Sequence, residues 1–65
     1  MMPDVRAHYT NAGYSRRAYA RKLDLHEHQI KRLESGRRVH PAAAKKVADD
    51  MQVTVVELMP LEEAA

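Results

Sequence analysis

Apolar side chains recur along this chain in short clusters at helical spacing, and each cluster is followed by a residue suited to a helix end. Val5, Tyr9 and Ala12 form the first cluster; Tyr19, Ala20 and Leu23 the second; Ile30 and Leu33 the third. Ala44, Val47, Ala48 and Met51 make a longer stripe, and Val55, Leu58 and Met59 close the series. β-Branched residues are sparse outside Val53–Val56, so strands are not expected. The pattern predicts an all-α protein: a compact bundle of four to five short helices.

The breaks place the elements. Pro3 and Asp4 suit the start of a first helix from about Asp4 to Ala12, and Gly13 suits the position after it, where positive φ is needed. Ser15 is a good N-cap for a second helix ending near Leu23. Asp24 and Leu25 make the turn into a third helix, about His26 to Ser35, which Gly36 stops. Arg37–His40 read as a basic loop. Pro41, tolerated in a first turn, opens a fourth helix ending near Met51. Thr54-x-x-Glu57 is a capping box for a short fifth helix, ended by Pro60.

Charge divides the chain. Residues 1–14 are balanced; residues 15–48 carry ten bases against three acids; residues 49–65 carry five acids and no base. The net +2 thus hides a basic middle and an acidic end, with an acidic tail over residues 60–65. Such asymmetry suits one face turned to a polyanion and another turned away. At 65 residues the chain reads as a single domain, residues 1–65, and a chain this short buries only about 60% of its unfolded surface. Without cysteine it forms no disulfide or thiolate metal site. It shows no membrane-length apolar run and no signal-peptide pattern, so a cytoplasmic location and no membrane partner are expected.

Residues 16–35 carry the functional signal, a helix-turn-helix pattern. Small Ala20 allows two steeply crossed helices to meet closely. Asp24 can take the left-handed conformation the turn needs, because its short side chain bonds locally. Leu25, Ile30 and Leu33 anchor the second helix of the pair. Its other face, with Glu27, His28, Lys31, Arg32 and Ser35, is wholly polar. The segments SRRAYARKLDLHEHQIKRLESGRR and HPAAAKKVADDMQVTVVEL resemble the lambda-repressor-like (Cro-like, XRE-type) helix-turn-helix domain over residues 15–59. Ala20, Leu23, Ile30, Glu34, Gly36, the Val47-Ala48 pair and Leu58 stand where that family has equivalents. Four positions depart from it. Arg16 replaces the usual Gln, and Asp24 the usual Gly. Tyr9 stands where many members place an Arg that pairs with the glutamate of the third helix, which leaves Glu34 to find another partner in the Tyr9 hydroxyl or Arg6. The loop after Gly36 is a residue short.

The resemblance implies a sequence-specific regulator of transcription, a repressor in the manner of small bacteriophage Cro-type proteins, with helix 26–35 in the major groove of double-stranded DNA. Base reading falls to Glu27, His28, Gln29, Lys31 and Arg32, with Arg32 foremost because a guanidinium binds guanine O6 and N7 bidentately. Phosphate contacts fall to Arg16, Arg17, Ser35, Arg37 and Arg38. A palindromic operator and a homodimer through Val53–Leu61 would follow, in the cytoplasm of a bacterial or phage-infected cell. The whole chain would be consumed by this domain, leaving no sensor.

Simpler readings compete. Arg17, Arg21, Lys22, Lys45 and Lys46 can be a solvated face, Arg21, Lys45 and Lys46 above all, and Glu27 can serve the dipole of its own helix. The three tyrosines read as core. His26-x-His28 with Glu27 lacks a third ligand at fixed geometry, so no metal, cofactor or small-molecule ligand is expected. No nucleophile–base pair or phosphate-cradling glycine loop is visible, which argues against an enzyme. The alternatives are a protein-interaction module, an antitoxin or a recombination accessory factor on the same fold.

Overall fold

The computed structural model describes residues 3–58, and among them all regular structure is helical. Five helices follow one another: α1 Val5–Asn11, α2 Arg16–Lys22, α3 Glu27–Glu34, α4 Pro41–Met51 and α5 Val55–Leu58. This is the small all-α bundle that the apolar spacing predicts. Met59, Leu61 and the acidic tail lie outside the described residues.

Side chains open most of these helices. The Asp4 carboxylate accepts from the Ala7 amide at 3.0 Å, and the Ser15 hydroxyl from the Ala18 amide at 3.1 Å. His26 stands just before α3, and its backbone N–H donates to Gln29 Oε1 at 2.9 Å. His40 Nδ1 accepts from the Ala42 amide at 3.1 Å, with Pro41 as the first residue of α4. The Thr54–Glu57 capping box is complete: Thr54 N–H donates to Glu57 Oε2 at 2.9 Å, and Glu57 N–H to Thr54 Oγ1 at 3.3 Å.

The first four helices stop in one way. Gly13, Asp24, Gly36 and Gln52 each adopt positive φ, at 91°, 59°, 76° and 61°. After each, the next amide reaches back to a carbonyl in the last turn: Tyr14 to Tyr9, Leu25 to Ala20, Arg37 to Arg32, Val53 to Ala48. This pair of features is the Schellman stop. Gly13 and Gly36 enter the left-handed region freely, whereas Asp24 and Gln52 do so against a Cβ penalty. Asp24 thus takes the left-handed conformation that its turn requires, at φ 59°.

The core gathers Val5, Tyr9, Tyr19, Ala20, Ile30, Leu33, Ala44, Val47, Ala48 and Leu58. Ile30 and Val47 are fully buried, and each removes on the order of 2 kcal/mol of apolar surface from water. Ala20 is buried where α2 faces α3, as its size requires. Tyr9 and Tyr19 stack at 5.2 Å between ring centroids, inside the core. Ala12 is the exception to the predicted stripe: it caps α1 and is exposed, while Ala43 is buried in addition to the expected α4 residues.

Candidate nucleic-acid interface

Two part-buried carboxylates tie the helices together, and the one on α3 sets the direction of that helix. Glu34, in the last turn of α3, accepts from Arg16 Nε at 2.9 Å and Arg16 Nη2 at 3.1 Å, and from the Tyr9 hydroxyl. One side chain thus joins α1, α2 and α3. Its exposure is only 9%. Burial pushes the Glu34 carboxyl up, but the hydrogen bonds from Arg16 and Tyr9 outweigh it and hold the group below the usual carboxylate range. The same contact raises the Arg16 guanidinium further. Both partners anticipated for Glu34 therefore act on it, Tyr9 through a hydrogen bond and Arg6 through its charge, and Arg16 joins them.

Asp50 on α4 makes the second tie. It accepts from His8 Nε2 at 2.9 Å, from the Tyr19 hydroxyl at 2.8 Å and from Lys22 Nζ at 3.2 Å. Burial again opposes ionisation, and the three donors overcome it, so the carboxyl sits below its ordinary value. Burial and this carboxylate push the Tyr19 hydroxyl well above the usual phenol range. Lys22 also lies over the Tyr14 ring, 5.1 Å from its centroid.

With α3 fixed from behind, its front is open. Glu27, His28, Lys31, Arg32 and Ser35 are all exposed, the set expected on the outward face. Arg17, Arg37 and Arg38 are exposed beside them. Two shallow clefts flank the face. One, about 480 Å³, is lined by His28, Gln29, Arg32, Arg38, Val39 and His40. The other, about 620 Å³, is lined by His28, Lys31, Arg32, Ser35 and Arg37. His28 and Arg32 belong to both, so they form the ridge between them.

Several of these side chains have internal duties. Arg32 Nε donates to the Arg38 carbonyl at 3.2 Å, which leaves its two terminal nitrogens at the outer end. The Ser35 hydroxyl donates to the Lys31 carbonyl at 3.1 Å. Gln29, named among the base readers, is half-buried and holds the His26 amide. Arg16, named among the phosphate contacts, grips Glu34 with two of its five N–H groups. Gln29 nonetheless lines the first cleft beside α3.

His40 escaped the sequence reading as a site residue. The signal was present: a histidine directly before Pro41 stands at an N-cap, and the cap brings its ring to the cleft beside α3. No group of three or more metal-binding side chains occurs among the described residues. Nor is any helix among them long and apolar enough to cross a membrane. Comparison of the chain with known protein families, with curated proteins and with solved structures finds no match.

Proposed function

We propose that this chain is a sequence-specific regulator that binds double-stranded DNA with α3 in the major groove. The observation that carries the reading is the outward face of α3. It is polar and exposed, it has cations on both flanks, and two carboxylate ties hold it on a rigid support. Arg32 reads guanine with its terminal nitrogens, and Lys31, His28 and Glu27 contact neighbouring base edges. Arg17, Arg37 and Arg38 seat the phosphates. The resemblance to lambda-repressor-like domains supports the same placement and a repressor role in the cytoplasm, with no catalytic step.

A two-fold dimer on a palindromic operator completes the proposal. Val56 is 60% exposed on α5, next to a partly buried Val55, and supports an apolar contact between copies. Sedimentation showing a monomer both free and on DNA would refute the dimer while leaving the DNA reading intact.

The deciding experiment is selection of binding sites from random duplexes. A palindromic consensus is expected. Recovery of no enriched sequence, with no duplex shifted at low salt, would sink the proposal. Arg37→Ala is expected to weaken all duplexes alike and to lower the salt slope by about one. A protein-interaction module is the second reading, favoured by the exposed acid Glu27 in the first turn of α3. It predicts a stable protein complex and no duplex binding.

A further inference from the structure

Three histidines surround the front of α3, and only one of them stands on its exposed face. His28 lines both clefts there. His26 stacks on it, 5.5 Å between centroids and 17° between planes, from the turn before the helix. His40 lies across the first cleft, and its Nδ1 is occupied as the acceptor that caps α4.

We infer that binding of a polyanion to this face takes up a proton at His28, so that affinity rises as pH falls. The inference rests on the DNA reading above and concerns the regulation of that same site. A phosphodiester brought into either cleft puts negative charge beside the His28 ring, and that charge favours the imidazolium over the imidazole. Among the described residues no carboxylate lines either cleft. The surrounding charges are mostly of the opposite kind: Lys31 and Arg32 on α3 itself, Arg37 and Arg38 from the loop. From the α2 side, Arg17 and Arg21 share a separate cleft with His26 and Glu27. Glu27 is the acid nearest in sequence, in the first turn of the same helix. A bound phosphate would bring negative charge into the two clefts that His28 lines, where the described charged neighbours are cations.

The other two histidines are poorer carriers. With Nδ1 accepting from Ala42, the neutral His40 ring has its proton on Nε2, so a second proton must go to Nδ1 and displace the cap. His26 and His28 lie face to face, so a charge on both at once repels at close range. The uptake is therefore about one proton, which limits the effect to about tenfold in affinity per pH unit.

The test measures binding of a random-sequence duplex of about two helical turns, at fixed ionic strength, from about pH 8 to about pH 6. The wild-type chain is expected to tighten several-fold over that range. His28→Gln should abolish the slope, and His28→Lys, with a fixed charge, should be flat as well. His40→Asn, which retains a capping side chain, should keep the slope whatever its basal affinity. Circular dichroism at each pH confirms that every variant remains helical. Calorimetry in two buffers of different ionisation heat counts the protons directly. A wild-type slope of zero, or an undiminished slope in His28→Gln, overturns the inference and leaves the DNA reading standing. Loss of the slope in His40→Asn transfers the proton to His40 and also overturns it. No duplex binding at any pH overturns both.

Discussion

Arg16 and Arg32 carry the same guanidinium on consecutive helices, and the chain uses them in opposite ways. Arg16 lies against a carboxylate that is nearly buried, with Tyr9 on the same acceptor. Arg32 has one N–H on a backbone carbonyl, and among the described residues no carboxylate pairs with it. The difference extends to the acids as a group. Asp4 and Glu57 cap helices, Asp24 closes α2, Glu34 and Asp50 tie helices together, and Asp49 pairs with Lys45 along α4. Among the described acids Glu27 alone lies on the outward face of α3. The other described carboxylates serve the framework, and among the described residues no ion pair engages the cations of that face. A chain of net charge +2 thus gathers its cations on one described face by sorting rather than by excess.

The comparison can be broken from the framework side first. Ile30→Ala removes a fully buried side chain from the back of α3 and is expected to cost about 2–5 kcal/mol. In a domain this small that approaches the whole stability, so thermal melting should show a largely unfolded chain. Glu34→Ala should cost about 2 kcal/mol by leaving Tyr9 and Arg16 without their shared acceptor. Arg32→Ala is the counterpart: its melting temperature should stay close to wild type, while discrimination at one base pair falls by about 1–3 kcal/mol in a binding assay. A large loss of stability in Arg32→Ala would erase the distinction between the two arginines.

Acid sharpens the same contrast. Glu34 and Asp50 have carboxyl groups lowered in the folded state from ordinary values of 4.5 and 3.8. A lowered folded value means that their contribution is complete above the unfolded value and is lost as pH falls through the folded one. Melting temperature should therefore decline below about pH 4.5, and the decline should be shallower in Glu34→Ala. The smallest effect is at the turn. Asp24→Gly relieves a non-glycine φ of 59° and should stabilise by up to about 1 kcal/mol, less the extra freedom of the unfolded chain. Chemical denaturation would measure it.

Local signals made most of the helices legible. Ser15, Gly13, Gly36, Pro41 and the Thr54–Glu57 pair act within a few residues of themselves, so their meaning survives without tertiary information. The stops at Asp24 and Gln52 divide on the same ground: Asp24 was identified from the turn it had to make, whereas Gln52 carries no composition signal for positive φ. The ties were harder. Arg16 and Glu34 are 18 residues apart, and His8 and Asp50 are 42 apart. Asp50 reads from sequence as one more acid in an acidic stretch, and only the packing of α4 against the other helices gives it three donors. The outward face of α3 was legible because exposure there follows from helical period. Gln29 and Arg16 were not separable from it, since period does not say which polar side chain turns back to a neighbour.

Adjacent residues on α1 reach the two different ties: His8 goes to Asp50 and Tyr9 to Glu34. α1 is therefore bound at once to α3 and, through Asp50, to α4. Detaching it would strip a donor from each of two largely desolvated carboxylates together, so no step exists at which it peels away cheaply. The shortest route to the unfolded chain is then a concerted one. Amide hydrogens of α1, despite its position near the chain end and its length of seven residues, should exchange at the rate of the core of α3 rather than ahead of it.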